Sequence, residues 1–372
     1  MNFVIITHVP HIVEQNHHFA YAPYVREMNI WIKKVDKLIV VAPESKSQKT
    51  PIDIHYEHEN IEFIAVAGFD VLGFEAVLKA IFKIPGICWN IYSAMKKADH
   101  IHLRCPGNMG LLASFIQILF PKKIKTTKYA GNWDPKSKQP LSYKLQKWLL
   151  SNTFLTRNMQ VLVYGQWEGS SKNIKPFFTA TYNEIDKSPV VPRDLKQQIG
   201  FVFVGTLVAG KNPLYAIQIV EALHKKGHNV VLSFYGEGAE RKKLEQYIAQ
   251  NKLENIISLE GNQTQDMVRK AYEQRHFVLL PSDSEGWPKA VAEGMFWGCV
   301  PVATPVSCVP FMLDYGNRGI LLEMNLEKDV NQLETVLQNE IDYQIKSEKA
   351  VDWSRKYTLD VFEEEIKKLL AQ

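Results

Sequence analysis

Residues 276–304, HFVLLPSDSEGWPKAVAEGMFWGCVPVAT, pass from an apolar strand (276–282) through a polar loop into a helix (288–298) and out into a second apolar strand (300–304). Two uninterrupted apolar strands joined by a helix make a βαβ unit, because a parallel strand is covered on both faces and carries apolar side chains on both. The pattern continues upstream as FVFVG (201–205), VVLSFYG (230–236) and IISLEG (256–261), separated by helices over 212–226, 238–251 and 264–274. It recurs in the first half, with strands at 3–7, 37–42, 62–67, 100–105, 125–131 and 159–165. The fold class is therefore α/β, with two Rossmann-like doubly wound sheets in one chain.

A length of 372 residues suits two such domains. Between the two series lies SPVVPRDLKQQIG (188–200), whose prolines and charges read as a linker. The expected divisions are 1–190, 191–355 and a final helix over 356–372. Leu359, Phe362, Ile366, Leu369 and Leu370 share one face of that helix, which is expected to cross back to the first domain. Two sheets facing a central cleft would put their strand C-termini there, where open α/β sheets bind ligands.

Hydrophobic residues make up 46% and charged residues 23%, a globular composition that excludes a disordered chain. Cys88, Cys105, Cys299 and Cys308 lie in apolar stretches without C-x-x-C spacing, which suggests neither a disulfide framework nor a zinc site. The opening MNFVIITHVP reads as a buried strand and not as a signal peptide. No apolar run reaches the roughly 18 residues of a membrane span. The expectation is a cytoplasmic protein.

The net charge of +4 divides unevenly: residues 1–195 hold 24 Lys+Arg and 16 Asp+Glu, and residues 196–372 hold 20 and 24. Stretches 77–97 and 111–128 mix apolar faces with lysines. They predict peripheral contact with anionic membrane at the inner face of the cell membrane; core helices with basic outer faces are the alternative. No helix-turn-helix, RNP or zinc pattern accompanies the charge, so nucleic acid is not an expected partner.

Within the opening stretch, Ser282 to Glu293 carries the chemistry. Gly286 allows backbone to approach a ligand, Pro288 fits the first turn of a helix, and free N–H groups at that helix start can cradle an anion or hydroxyl. Glu285 lies in the loop and Glu293 two turns down the helix, so both can face one polyhydroxylated ligand.

This segment, with Gly294 to Thr304 after it, resembles the signature of the family-4 retaining glycosyltransferases of GT-B architecture, the Glu-x7-Glu type. The resemblance is specific from Gly205 onward and architectural before it. It implies a nucleotide-diphosphate sugar as co-substrate, no cofactor and no metal. Glu285 would hold hydroxyls of the transferred sugar and Glu293 the nucleotide ribose, with the amides of Gly286, Trp287, Pro288 and Lys289 near sugar or phosphate. In the loop Gly205-Thr206-Leu207-Val208-Ala209-Gly210-Lys211 the family supplies an Arg and a Lys to the diphosphate; here Thr206 replaces the Arg and Lys211 remains. A leaving diphosphate gains charge as the glycosidic bond breaks, so a cation is required. Arg104 or Arg193 is a candidate second one; for Lys211 an ordinary surface lysine is the alternative.

Gly236 in the turn Gly236-Glu237-Gly238 would line the nucleotide pocket, and Asn262 and Gln263 would read the base edge. On the acceptor side, Asn132 could donate to the sugar, and Asp134 is either an acceptor-side base or a helix cap. Trp133 either stacks on a sugar or packs in the core. His8 and His17, in a loop region lacking the family's usual Gly-Gly, are candidates for acceptor contact or members of an ordinary polar loop. Asp283-x-Glu285 reads as no metal site. The expected reaction moves a sugar to a saccharide or lipid-linked acceptor in cell-surface glycan synthesis. A non-catalytic nucleotide-sugar-binding subunit and a GT-B epimerase or phosphorylase are the alternatives.

Overall fold

An apolar strand buried on both faces needs a helical layer on each side, and the chain builds two sheets of this kind. The computed structural model describes residues 1–15, 17–50, 53–68 and 74–371, with backbone alone for 74–81. The chain divides into two compact units: Met1–Phe177 together with the residues from Glu363 onward, and Phe178–Phe362. The stretch 188–200, read as a linker, belongs to the second unit. Arg193 fixes it there by donating to the carbonyls of Tyr272 (2.9 Å), Glu273 (3.1 Å) and Trp297 (2.5 Å).

In the first unit the elements are β1 (Asn2–Ile6), β2 (Ile12–Glu14), β3 (His17–Tyr21), α1 (Ala22–Ile32), β4 (Lys37–Pro43), β5 (Asp53–His55), β6 (Ile61–Val66) and α2 (Phe74–Lys97). There follow β7 (His100–Cys105), α3 (Asn108–Ile116), β8 (Ile124–Tyr129), α4 (Leu141–Ser151), β9 (Met159–Tyr164) and β10 (Ile174–Phe177). Among the described residues, seven parallel strands make the main sheet in the order β10-β9-β8-β7-β1-β4-β6.

The alternation of side chains along β1 assigns the two layers. Val4 and Ile6 pack with Ile87, Ile91 and Met95 of α2, Met109 and Ala113 of α3 and Leu150 of α4. Phe3 points the other way and stacks on Trp31 of α1, with ring centroids 6.0 Å apart. A small antiparallel sheet, β2-β3-β5, was not expected from sequence.

The second unit runs β11 (Ile199–Val204), α5 (Pro213–Lys225), β12 (Val230–Tyr235), α6 (Arg241–Gln250), β13 (Ile257–Gly261), α7 (Gln265–Gln274), β14 (Phe277–Leu280), α8 (Lys289–Phe296) and β15 (Val300–Ala303). It continues with α9 (Val309–Met312), β16 (Ile320–Leu321), α10 (Leu326–Leu337), α11 (Glu340–Ser354) and α12 (Leu359–Leu370), whose last residues group with the first unit. Its six strands are parallel in the order β13-β12-β11-β14-β15-β16.

In each sheet the chain winds outward in both directions from its first strand. The strand order therefore reverses between β1 and β7 in one unit and between β11 and β14 in the other. At such a reversal the loops leaving the two strands diverge and open a crevice at their carboxyl ends, the ligand position of open α/β sheets.

The approach of α8 to the sheet depends on Gly294, since a Cβ there would lie 2.6 Å from Val278 Cγ1. Among the described residues, and apart from its chain neighbours and the backbone of its own helix, nothing lies within 4 Å of a Cβ added at Gly86, inside α2. Gly294→Ala should lower unfolding free energy by about 1–3 kcal/mol through overpacking. Gly86→Ala should be neutral or raise it by up to about 1 kcal/mol through helix propensity. Urea titration of the two variants checks both signs.

Candidate active site

At the reversal point of the second sheet, Gly205–Lys211 leaves β11 and Ser282–Pro288 leaves β14. The two loops are joined by side chains. Lys211 Nζ donates to Glu285 Oε1 at 2.8 Å, the lysine partly and the glutamate mostly buried. Asn212 Nδ2 donates to Asp283 Oδ1 at 2.6 Å and to the Pro281 carbonyl at 2.9 Å, and Asp283 N donates to the Gly210 carbonyl at 2.8 Å. Asp283 is thus engaged by Asn212 and does not pair with Glu285. Among the described residues no group of three or more His, Cys, Asp or Glu side chains is placed to hold a metal ion.

The far side of the Glu285 loop is braced as well. Ser307 Oγ and Cys308 Sγ donate to the Gly286 carbonyl at 3.1 and 3.2 Å, and Thr304 Oγ1 donates to the Ser282 carbonyl. Trp287 is buried against Trp353 and Tyr357, with ring centroids 6.0 and 5.5 Å away, so its indole packs inward. Pro288 is the N-cap of α8, one position ahead of the first turn where it was expected.

The β11, β12 and β13 ends are stitched together through glycines. Gly205 N donates to the Tyr235 carbonyl, Leu207 N to the Glu237 carbonyl and Gly236 N to the Gly261 carbonyl, at 2.8–2.9 Å. Gly236 has φ +142°, and a Cβ there would lie 2.1 Å from the Gly205 carbonyl oxygen. Only glycine permits these two loops to touch. Thr206 is exposed on this rim, as are Asn262 and Gln263 beyond β13; Gln263 Nε2 donates to the Glu260 carbonyl at 2.8 Å.

Glu293, on α8, is held differently from Glu285. Thr181 Oγ1 donates to its Oε1 at 2.7 Å and Tyr272 OH to its Oε2 at 3.3 Å. Lys289, one turn earlier, lies with it in a recess of about 20 Å³ also lined by Thr181, Trp287, Phe296 and Tyr357. That is room for about one water or hydroxyl. Burial raises the Glu293 pKa above the ordinary glutamate value, opposed by the Thr181 hydroxyl, the Lys289 charge and the Tyr272 hydroxyl. The two glutamates singled out by their spacing therefore hydrogen-bond to different residues. Thr181, Tyr272 and Asn212 complete the arrangement; nothing in the sequence marks them, since Thr181 reaches Glu293 across 112 positions.

In the first unit the reversal point brings His8, beyond β1, against Gly107, beyond β7. A Cβ on Gly107 would lie 3.1 Å from His8 Nδ1. Burial and the Arg104 charge lower the His8 pKa. Asn132 and Asp134 follow β8 and serve the local turn: Asn132 Oδ1 accepts from Asp134 N at 2.9 Å, and Asp134 Oδ1 from Lys136 N at 2.8 Å. Trp133 is buried, edge-on to Tyr129 at 4.8 Å. Its ring is engaged in packing, the second of the two sequence readings. His17 sits in the small sheet, its ring 5.2 Å from His55. Of the two candidate second cations, Arg104 pairs with Glu27 at 2.6 Å, and Arg193 is spent on the three carbonyls described above.

Residues 185–356 match the family of glycosyl transferases group 1. An uncharacterized glycosyltransferase of Methanocaldococcus jannaschii is 26% identical over 188 residues, 50% of this chain and 51% of that protein. The chain spans between 24% and 51% of the length of the curated relatives it matches. Among solved structures, sucrose-phosphate synthase from Thermosynechococcus elongatus superposes with a TM-score of 0.67 at 14% identity, covering 100% of this chain and 98% of the other. Anabaena HepE in complex with UDP-glucose gives 0.69 at 12% identity, covering 100% and 99%. The fold is GT-B, two Rossmann-like domains, each with a parallel sheet.

A carboxyl whose pKa is raised by folding stabilises the native state in its protonated form, and that contribution is lost as pH rises through the folded pKa. Glu293→Gln keeps the shape and removes the charge. The variant should be at least as stable as the wild type near neutral pH, and its advantage should shrink as pH falls toward the ordinary glutamate range around 4.3. Paired urea titrations at the two pH values measure this difference.

Proposed function

We propose that this chain is a retaining, metal-independent family-4 glycosyltransferase of the Glu-x7-Glu type. It would move a hexose from a nucleotide-diphosphate sugar to a saccharide or lipid-linked saccharide acceptor in cell-surface glycan synthesis. The observation that carries the reading is the Lys211–Glu285 pair, which bridges the two loops at the reversal point of the second sheet. An ammonium there can exchange its carboxylate partner for a diphosphate, and the released carboxylate is left beside the space where sugar hydroxyls would lie. The cation then stays with the phosphates as their charge grows in the transition state, where a preorganised charge lowers the barrier most.

In this reading Gly205 and Gly236 admit the donor close to the backbone, and Thr206 contributes a hydroxyl where relatives place an arginine. The amides from Gly286 to Lys289 bind the sugar or its phosphate, and Asn262 and Gln263 meet the base. Glu293 holds a ribose hydroxyl in place of the one that Thr181 now supplies. Retention follows if the acceptor hydroxyl attacks from the face the diphosphate leaves and passes its proton to a phosphate oxygen. On the acceptor side, His8 is the residue best placed, at the reversal point of the first sheet; Asn132 and Asp134 would act through the loop they shape. The unpaired thiols of Cys105, Cys299 and Cys308, all buried, fit a reducing, cytoplasmic setting. Among the described residues no helix is long and apolar enough to cross a membrane.

UDP-hexoses are the first donors to test, because HepE was solved with UDP-glucose. A donor at 100 times its Kd should stabilise the protein by about 2.7 kcal/mol, read as a rise in Tm. With that donor, Glu285→Gln and Lys211→Ala should each lower kcat by about 10²–10³-fold, EDTA should leave the rate unchanged, and the product should keep the donor's anomeric configuration by NMR. Full turnover in both variants would refute the assignment.

A further inference from the structure

We infer that the outer surface of the α2–α3–α4 layer of the first unit docks onto an anionic lipid bilayer. The inference stands apart from the donor chemistry, since every group it uses lies in the first unit. The apolar side chains of that surface are out of place for a solvated helical layer. Among the described residues, all exposed phenylalanines and tryptophans of the protein lie on this layer and the turns that continue it: Phe82 and Trp89 of α2, Phe115 of α3, Trp148 of α4, and Phe154 just beyond it. For the stretch 77–97 singled out by its sequence, the side chains of 77–81 lie outside the described residues.

The arrangement is sharpest on α4. Gln146, Leu149 and Leu150 are buried, so the helix already has a partner for its inner face. Leu141, Leu145 and Trp148 follow at helical spacing on the outer face, with Leu141 82% and Trp148 59% exposed. The surface continues past the helix. Gln117 Nε2 donates to the Leu155 carbonyl at 3.1 Å and Asn158 Nδ2 to the Pro121 carbonyl at 3.1 Å, which sets exposed Leu119 and Lys122 on a segment beside Phe154 and Arg157. The Arg157 guanidinium lies over the Phe154 ring at 4.6 Å.

Charge identifies the occupant. Residues 82–157 contain 13 Lys+Arg against 2 Asp+Glu, a net +11 in a chain whose total is +4. Arg104, Lys125 and Lys128 are withdrawn into the unit, but Lys122, Lys136, Lys138, Lys144 and Arg157 of the same stretch are exposed. A protein interface core excludes lysine, whereas an interfacial membrane surface interleaves it with tryptophan, leucine and phenylalanine. The ammonium groups meet lipid phosphates while their aliphatic stems and the neighbouring rings enter the headgroup boundary.

The test is co-sedimentation of the full chain with vesicles of phosphatidylcholine alone and of equal parts phosphatidylcholine and phosphatidylglycerol. The protein should sediment with the mixed vesicles, stay in solution with the neutral ones, and be released by salt. Leu145→Ser/Trp148→Ser and Lys138→Glu/Lys144→Glu should each weaken binding by about tenfold or more, with unchanged circular dichroism and an unchanged Tm. No binding to mixed vesicles, equal binding to neutral ones, or full binding by both double variants would overturn the inference. So would a self-associated species in sedimentation velocity that either double variant dissociates, because the face would then belong to a second copy of the chain.

Discussion

Parallel strands end together, and at their carboxyl ends a row of backbone amides and carbonyls must find partners without a hairpin to supply them. The second unit meets this constraint by joining its loops to one another. Gly205, Leu207 and Gly236 donate across three successive strand ends, and the side chains of Asn212, Ser307 and Thr304 secure the carbonyls of Pro281, Gly286 and Ser282. The result is a rim of fixed backbone on which one lysine and one glutamate pair across the loops that leave β11 and β14. A ligand entering there meets groups already held in position, which lowers the ordering cost of binding.

Most of this fold was legible in the sequence because strands covered on both faces are apolar without interruption. The departures have the same cause. β10, Ile174–Phe177, is an edge strand with a proline and two exposed residues, so it lacks that signature. β16 has two residues, and the strands of the small sheet are short and rich in histidine. The boundary between units fell before the proline-rich stretch because Arg193 binds that stretch to three carbonyls, a tertiary fact that composition does not report. The spacing of Glu285 and Glu293 put the first in the loop and the second on the helix, as the structure has them, but their partners come from far along the chain. Periodicity cannot reveal a lysine 74 positions away or a threonine 112 positions away.

The two glutamates also differ in electrostatic character, a difference their spacing hides. Glu285 has a cation, the Lys211 ammonium, at hydrogen-bond distance. Glu293 has hydroxyl donors and a lysine one turn away, and for it desolvation outweighs them. A carboxylate compensated mainly by hydroxyls is well suited to trade one hydroxyl partner for another. A carboxylate paired with an ammonium is suited to exchange when an anion arrives. The proposed roles at ribose and at sugar follow that division.

In the proposed reading, Thr206 bears on the same exchange. With an arginine at that position two cations would share the diphosphate, and one could stay with Glu285 throughout. Arg104 is committed to Glu27 and Arg193 to backbone carbonyls, so neither is idle. On that proposal Lys211 would satisfy Glu285 before the donor arrives and the phosphates afterwards, and the pair would have to open for the donor to bind. Breaking a partly buried ion pair costs more than breaking an exposed one, because the released carboxylate needs new hydrogen bonds. Sugar hydroxyls can provide them, and water provides them less well in a loop braced on both sides. Under the proposed function, a threonine at this position would therefore couple recognition of the sugar to capture of the diphosphate. A nucleotide lacking its sugar would open the same pair without that compensation, which would make the Lys211–Glu285 contact a point at which donor and product are told apart.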